Sequence, residues 1–256
     1  MDIVHVGRLE LGKGRPCIIV PLTSSALADL LGEARALVDL PADMAEWRVD
    51  MFGSGDVDET AVLQALAELK SALSVPLLVT FRTAAEGGNR FLSDEGYVSL
   101  CRRLCESRLP DLLDVEAFLR SGKSKDIIAC AHSCGVSVVA SNHDFHATPS
   151  KDEIVRRLLY MQDELDADIM KIAVMPRCRA DVLTLLAATE EVSSRAHRPV
   201  ITMSMGPLGV ISRVCGQTFG SAATFGAAQA ASAPGQMDVR ALHAVLAALD
   251  AACNAG

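Results

Sequence analysis

Short apolar runs alternate with longer amphipathic segments along most of the chain. The first apolar run, CIIVPL at 17–22, precedes LADLLGEARALV, in which Leu27, Leu30, Leu31 and Leu37 recur at helical spacing. The run lacks the polar alternation of a half-exposed strand, so it is typical of a parallel sheet covered by helices. This pair of segments therefore predicts one β-strand followed by one α-helix.

The same strand–helix unit occurs eight times, and no linker rich in Pro, Gly or Ser interrupts the series. Matching polar positions on successive strands lie about 30 residues apart, as expected for an α/β barrel of roughly 250 residues. We predict an α/β fold, a (β/α)8 TIM barrel formed by residues 1–256 as a single domain, with a doubly wound open sheet as the alternative. The predicted strands are 17–22, 44–50, 75–82, 112–118, 136–145, 169–175, 199–206 and 222–226, and the predicted helices are 27–38, 58–73, 94–107, 124–135, 151–165, 179–196, 209–219 and 239–252.

The first 16 residues stand outside these repeats. The segment HVGRLELGKGRPCII predicts an N-terminal β-hairpin that turns through Gly12 and Gly14. We expect this hairpin, within residues 1–16, to close the bottom of the barrel.

The amino-acid composition indicates what fills the core, and the net charge indicates which classes of binding partner are unfavourable. Half of the residues are hydrophobic but only 4% are aromatic, so Leu, Val, Ile, Ala and Met must fill the core. The net charge of −8 argues against nucleic acid or an anionic membrane as the main partner. The N-terminus lacks the pattern of a secretory signal, and no apolar run approaches eighteen residues, so a cytoplasmic location is expected.

Eight cysteines raise the question of disulfides or metal binding. A chain of this size with a large core does not need disulfides, and the expected compartment is reducing, so we predict free thiols. Cys101 with Cys105, and Cys130 with Cys134, have the spacing of half a metal site. Because no His lies at matching ligand spacing, buried thiols are the preferred interpretation and no metal is expected.

Charged and polar residues collect at the ends of consecutive predicted strands, at positions that share a face. Charged side chains rarely enter an interior unpaired, so the pattern predicts a polar cavity at the C-terminal mouth of the barrel. The alternative is an ion-pair network that only caps the barrel, in which Asp50 and Asp114 hold Arg48 and Arg82. The residues concerned are Glu46, Arg48 and Asp50; Thr80 and Arg82; Asp114 and Glu116; Ser141, His143 and Phe145; Lys171 with Ala173; and Met203 with Met205.

Lys171 carries the most specific chemistry. The segment IMKIAV places it inside a β-branched, Met-rich strand, where a surface amine has no reason to lie. An amine must be neutral to attack a carbonyl, and burial beside Met203 and Met205 with nearby arginine charge favours that form. We therefore predict that Lys171 forms a Schiff base with a ketone.

His143 ends the strand VSVVASNHDF, one repeat before Lys171. Neighbouring strands bring the two side chains to one mouth, where His143 can move a proton beside the carbon that Lys171 activates. Glu86, in FRTAAEGG, is the candidate carboxylate that orients His143.

Two loops after the last strands contribute candidate binding groups. The segment SMGPLGVISRV offers Gly206 and Gly209 before a helix with Arg213, which suits a carboxylate or phosphate. The segment ASAPGQM carries Ser232, Ala233 and Gln236 on a Pro-Gly turn that can fold over the mouth as a lid.

Taken together, the segments EWRVD, TFRTAAEGG, DVE, SNHDF, KIAVMP, SMGPLGVISR and SAPGQ resemble the type I 3-dehydroquinate dehydratases over essentially the whole chain. This resemblance implies a hydro-lyase of the shikimate pathway, which leads to chorismate and aromatic amino acids. It implies that Lys171 condenses with the ketone of 3-dehydroquinate and that His143 removes the neighbouring proton. His143 then protonates the departing hydroxyl, which gives 3-dehydroshikimate.

The resemblance also implies the substrate contacts. Arg213, with Gln236 and Ser232, would hold the substrate carboxylate, while Glu46 and Arg82 would bind ring hydroxyls. It implies a homodimer and neither a metal nor an organic cofactor, because the lysine supplies the electron sink. The remaining implied substrate contacts are Arg48, Met203, Met205, Phe225 and Ala233, and the supporting residues are Asp114 and Glu116, with Arg48 also acting as a support.

Two other functions fit a barrel with these features. A class I aldolase uses the same fold and a strand lysine, but it normally binds a phosphate through backbone amides. A catalytically silent barrel that senses a ligand would lack Lys171 or His143, and both are present.

Overall fold

The computed structural model describes residues 2–228 and 232–255. Its strands are β1 (Val4–Val6), β2 (Leu9–Leu11), β3 (Cys17–Leu22), β4 (Met44–Arg48), β5 (Leu77–Thr80), β6 (Leu112–Glu116), β7 (Ser137–Asp144), β8 (Ile169–Val174), β9 (Val200–Ser204), β10 (Ala223–Ala227) and β11 (Met237–Asp238). Its α-helices are α1 (Leu27–Ala36), α2 (Glu59–Ala72), α3 (Asp94–Ser107), α4 (Ser124–Ser133), α5 (Lys151–Asp163), α6 (Arg179–Arg195), α7 (Val210–Val214), α8 (Gly216–Phe219) and α9 (Val239–Cys253).

Strands β3 to β9 pair in chain order, and β10 pairs with β3, all in parallel. A parallel bridge between Val200 and Ser221, just before β10, joins the two ends of this series. The Ala222 N–H donates to the Val200 carbonyl over 2.8 Å, which strengthens the closure. The predicted (β/α)8 barrel is thus confirmed, and the doubly wound open sheet is wrong. The short β11 adds a further strand beside β10, which the sequence pattern did not predict.

Alternate residues of each strand build two separate cores, as expected when one face of a strand looks into a barrel and the other meets helices. On β7, Val138 and Ala140 pack against the helices, whereas Val139 faces the barrel interior. The interior core also holds Ile19, Met44, Leu78, Leu112, Ile169 and Ile201.

The N-terminal hairpin is present, but its turn differs from the predicted one. Val6 pairs with Leu9, so the chain turns at Gly7, which has a φ of +60°. The turn assignment to Gly12 and Gly14 is wrong, because both follow β2 and lead into β3. Val4, Val6 and Leu11 pack into the interior core, which confirms that the hairpin closes the bottom of the barrel.

One predicted helix is divided in two, and several predicted strands end one or two residues earlier than the pattern suggests. The predicted helix 209–219 is two helices, α7 and α8, which meet at Gly216, where an added Cβ would lie 2.9 Å from the Ser221 carbonyl. Arg82 and Asp50 lie just beyond β5 and β4 and not on the strands, with Asp50 in a 3-10 turn (Val49–Met51). Arg82 still lines the cavity at the mouth, whereas Asp50 is buried beneath it and accepts from Arg48 over 2.8 Å and from the Arg82 backbone N–H over 3.2 Å.

The described residues also bear on the predictions about disulfides, metal sites and membrane-spanning helices. All eight cysteines lie in the described part of the chain and are free thiols, as predicted. Over residues 2–228 and 232–255, no three or more His, Cys, Asp or Glu side chains are grouped to hold a metal ion. Within the same ranges, none of the helices combines the length and apolarity needed to cross a membrane.

Candidate active site

A cavity of about 230 Å³ opens at the C-terminal mouth of the barrel. Asp114 and Glu116 are buried behind this lining, where they contact the cationic residues. The predicted catalytic and substrate-binding residues all line the cavity: Glu46, Arg48, Arg82, Glu86, His143, Lys171, Met203, Met205, Arg213, Phe225, Ser232, Ala233 and Gln236.

Five further lining residues were not among the predicted site residues. Thr80, Phe145 and Ala173 share strand faces with Arg82, His143 and Lys171, and strand alternation did place them at the predicted cavity, but no catalytic or binding role was assigned to them. Pro234 lies inside the predicted lid turn. Nothing in the sequence marked Gly87, whose φ of +81° and contact with the Phe145 ring are set by the fold. The complete added set is Thr80, Gly87, Phe145, Ala173 and Pro234.

Lys171 is the only lysine with a buried side chain in the described part of the chain, at 3% exposure. Its Nζ donates to Asp114 Oδ2 over 2.9 Å and lies 3.8 Å from Glu46 Oε1. The same nitrogen lies 5.0 Å from the centroid of the Phe225 ring. The amine is therefore held between two carboxylates and an aromatic face, and not only by the predicted methionines.

Asp114 does more than hold Arg82. Its Oδ1 accepts from Arg82 Nη2 and from Ser141 Oγ, each over 2.6 Å, while Oδ2 accepts from Lys171. Burial by itself would raise the pKa of Asp114, but the positive charges of Arg82 and Lys171 outweigh it and hold that pKa well below its ordinary value. Asp114 thus remains a carboxylate that fixes the position of the lysine.

Arg82 is the centre of the buried network. Its Nη1 lies 3.1 Å from Glu116 and 3.4 Å from Glu86, while Nη2 bonds Asp114. Glu116 also accepts from the backbone and side chain of Thr83, each over 2.8 Å. Although burial opposes the charged form, these carboxylates hold the pKa of Arg82 well above its ordinary value.

His143 and Glu86 form a directly bonded pair. Glu86 Oε2 lies 2.9 Å from His143 Nδ1 and accepts from the His143 backbone N–H over 3.0 Å. Glu86 reaches this position from a 3-10 turn (Ala84–Glu86) that ends in Gly87 and Gly88, where an added Cβ at Gly88 would lie 1.9 Å from the Arg82 carbonyl. This contact explains why the turn needs glycine.

Burial shapes the protonation of both partners. Burial first, and then the charges of Arg82 and Lys171, hold the pKa of His143 well below 6.5, so the imidazole is neutral at pH 7. Burial also raises the pKa of Glu86 to about 8, against the attraction of Arg82. When the Glu86 carboxylate accepts the Nδ1 proton, Nε2 is left with the free lone pair of a base.

Arg213, on α7, is an arginine without a carboxylate partner among the described residues. It is 1% exposed, and its Nη2 donates to the Pro234 carbonyl over 3.0 Å. Its Nε finds no acceptor in the described part of the chain, and burial lowers the pKa of the guanidinium to about 10. A buried cation with an unused donor suits an anionic group of a ligand.

The Pro-Gly turn lies against this arginine. Gly206 N–H donates to the Pro234 carbonyl over 3.1 Å, and Gln236 Nε2 donates to Ser232 Oγ over 3.0 Å. Gly235 has a φ of +80°, and an added Cβ there would lie 2.4 Å from the Gly206 carbonyl oxygen. The described part of the predicted lid, 232–236, therefore lies against Arg213 and Gly206 and lines the cavity, whereas 229–231 lie outside the described residues.

Known proteins are similar to this chain both in sequence and in barrel fold. The family model described as Type I 3-dehydroquinase matches residues 18–252. The chain belongs to the type I 3-dehydroquinase family. The 3-dehydroquinate dehydratase of Salmonella agona (strain SL483) is 49% identical over 248 residues, covering 96% of this chain and 98% of the relative. That of Shigella boydii serotype 4 (strain Sb227) is 48% identical over 247 residues, with the same coverage.

Solved structures of family members agree in fold. The type I 3-dehydroquinate dehydratase of Clostridium difficile with covalently modified comenic acid is 45% identical, with a TM-score of 0.94. The match covers 98% of this chain and 99% of that one. As a member of the type I 3-dehydroquinase family, the chain is a hydro-lyase with 3-dehydroquinate dehydratase activity. The aldolase and ligand-sensor alternatives are therefore wrong.

Proposed function

We propose that the chain dehydrates 3-dehydroquinate through a Schiff base on Lys171. The observation that carries this proposal is that the only buried lysine of the described residues lines the same cavity as His143 and Arg213. The amine adds to the ketone carbon and water leaves, which forms an imine. The protonated imine draws electrons from the neighbouring carbon, so the C–H bond there becomes acidic.

His143 performs the proton transfers in this proposal. Because Nδ1 is bonded to Glu86, Nε2 takes the proton from the acidified carbon. The resulting imidazolium returns that proton to the hydroxyl group, which leaves as water when the carbon–oxygen bond breaks. Hydrolysis of the imine then releases 3-dehydroshikimate and restores the Lys171 amine.

The other lining residues hold the substrate. Arg213, with Ser232 and Gln236, binds the carboxylate, because the guanidinium lines the cavity and has no carboxylate partner among the described residues. Glu46, Arg82 and Arg48 bind ring hydroxyls. Asp114 and Glu116 support the two cations that they contact. Apolar contact with the substrate ring comes from Met203, Met205, Phe225 and Ala233.

Borohydride reduction tests the Schiff base. Treatment of the protein with borohydride and 3-dehydroquinate should add the ligand covalently, with the adduct mapped to Lys171 by peptide mass. Lys171→Ala should remain unmodified, and treatment without substrate is the control. An unchanged intact mass, or an adduct on Lys151 or Lys123, would contradict the assignment.

We also propose a pathway, a cellular compartment and an oligomeric state for the enzyme. The enzyme acts in the shikimate pathway of the cytoplasm, as a homodimer. Exposed apolar side chains on adjacent elements support self-association: Leu183 on α6, Leu208 on the 3-10 turn Pro207–Gly209, and Ile211 on α7. Sedimentation at twice the 27.1 kDa chain mass is the expected result, and sedimentation at the chain mass would contradict the dimer.

A further inference from the structure

Asn142 departs from the pattern of its strand. It shares the helix-facing side of β7 with the apolar Val138 and Ala140, yet it is 8% exposed and polar. Its Nδ2 donates to Glu86 Oε1 over 3.1 Å, and its Oδ1 accepts from Arg157 Nη1 over 3.0 Å. A side chain outside the cavity lining therefore connects a peripheral helix to the carboxylate that orients His143.

Arg157 is itself held in place on α5. Its Nε donates to Glu153 Oε1 over 2.7 Å, which leaves Nη1 directed at Asn142. The adjacent Arg156 donates to the same Glu153 over 2.7 and 2.8 Å, but it forms no bond to Asn142. The two neighbouring arginines differ in this contact, which makes Arg156 a matched control.

The hydrogen-bonding groups around Asn142 fix the orientation of its side-chain amide. Arginine only donates, so the oxygen of the Asn142 amide must face Arg157, and its NH2 group must face Glu86. The Asn142 NH2, the His143 backbone N–H and Arg82 Nη1 then surround the Glu86 carboxyl with donors. Donors around a carboxyl group stabilise its ionised form, so the ionised Glu86 accepts a hydrogen bond from the Nδ1–H group of His143.

We propose that Arg157 and Asn142 are positioning residues: Arg157 fixes the Asn142 amide, which holds Glu86 as an acceptor and makes Nε2 the basic nitrogen of His143. The inference rests on the role of His143 as the base in the proposed function. Neither residue touches the substrate, since both lie outside the cavity lining.

Asn142 affects the pKa of Glu86 differently from the charged groups around Glu86 and His143, because it is a neutral donor. The bond from Asn142 lowers the pKa of Glu86, against burial and the nearby carboxylates that raise it. Loss of this neutral donor should therefore favour the protonated form of Glu86. The charged groups facing Glu86 and His143 are Arg82 from the end of β5, Asp114 and Glu116 from β6, Lys171 from β8 and Arg48 from β4.

Steady-state kinetics between about pH 6 and 9 provide the first test. Arg157→Leu should lower kcat at pH 7 about tenfold, as is common when an outer partner of a functional group is lost. KM should change less than about twofold, and the acid limb of the kcat profile should move to higher pH. Arg157→Lys, which again offers only donors, should restore most of the activity, and Asn142→Leu should act in the same direction.

The control is Arg156→Leu, which removes the neighbouring arginine and its bonds to Glu153 but leaves the Arg157–Asn142 contact. It should keep wild-type kcat and pH profile within about twofold. Equal profiles for Arg156→Leu and Arg157→Leu would overturn the proposal. A pH-independent loss of kcat in Arg157→Leu would also overturn it, because that result indicates only structural damage.

A spectroscopic experiment tests this inference independently of the proposed function. Nitrogen-15 NMR of the free protein at about pH 9, where Glu86 is ionised, should show the Nδ1–H tautomer of His143, and a mixture of tautomers in Arg157→Leu and Asn142→Leu. The signal is assigned by its absence in His143→Gln. An unchanged tautomer in both variants overturns the inference, whether or not His143 is the base. Failure of the proposed function would instead appear as a wild-type protein without a reducible adduct.

Discussion

At the scale of single residues, Lys171 and His143 meet different chemical demands. Imine formation needs an amine and a ketone, whereas elimination also needs a base beside the acidified carbon. We expect His143→Ala to accumulate a covalent Lys171 adduct while kcat falls at least about a hundredfold, since a positioned base contributes roughly 10²- to 10⁴-fold. Intact mass and the absorbance of the conjugated enone product measure the two effects. A variant that keeps more than about a tenth of wild-type kcat would point to Glu86 as the base.

The raised pKa of Glu86 predicts that kcat depends on pH. Its pKa is raised to about 8, so the carboxylate that accepts the Nδ1 proton forms only as pH rises towards that value. We therefore expect wild-type kcat to rise between about pH 6 and 9. Glu86→Gln cannot titrate, and it should show a lower kcat with a flat profile over this range. The same acid limb in wild type and variant would mean that another group sets it.

At the scale of elements, the turn 232–236 is fixed by a close backbone approach. Gly235 has a φ of +80°, and an added Cβ would lie 2.4 Å from the Gly206 carbonyl oxygen. Gly235→Ala should therefore displace the turn from Arg213 and raise KM at least about fivefold, with a smaller change in kcat. Steady-state kinetics measure both constants.

Gly122→Ala is the control for this change. Gly122 also has a positive φ, +69°, but no atom lies within 4 Å of its added Cβ. Both variants should lose about 1 kcal/mol of stability from the left-handed backbone, but only Gly235→Ala should change KM. Equal KM values in the two variants would show that the turn does not contact the substrate.

At the scale of the whole molecule, a buried ion network joins the barrel strands. Asp114 on β6 bonds Lys171 on β8 and Arg82 at the end of β5. Its pKa is lowered in the folded protein, so its contribution to stability is complete above its ordinary pKa of 3.8 and is lost as pH falls below that value. Asp114→Asn should destabilise the fold by about 3 kcal/mol at pH 6, because two buried cations lose a partner.

Urea unfolding at pH 6 and pH 3 measures this effect. Wild type should lose more stability between the two pH values than Asp114→Asn, which has no carboxylate to protonate at that position. An equal loss in both proteins would mean that Asp114 does not contribute to acid sensitivity.

The sequence by itself determined the fold and the composition of the site. Eight repeated strand–helix patterns predict the barrel because hydrophobic periodicity is a local property that each segment carries alone. Strand alternation then placed Glu46, His143 and Lys171 on one face, and a parallel barrel brings such ends to one mouth. The family resemblance supplied the roles of Arg213, Phe225 and the lid residues.

Only the tertiary structure decided how these groups bond. Asp114 bonds Lys171, and Arg157 reaches Glu86 through Asn142, by contacts between side chains on different elements. The hairpin turn at Gly7 also depends on the tertiary structure, because Gly12 and Gly14 could serve equally well, and the break at Gly216 depends on the close approach of the Ser221 carbonyl. Periodicity fixes which face a residue occupies, whereas hydrogen-bond partners and protonation depend on distances and burial that exist only after the strands and helices have packed together.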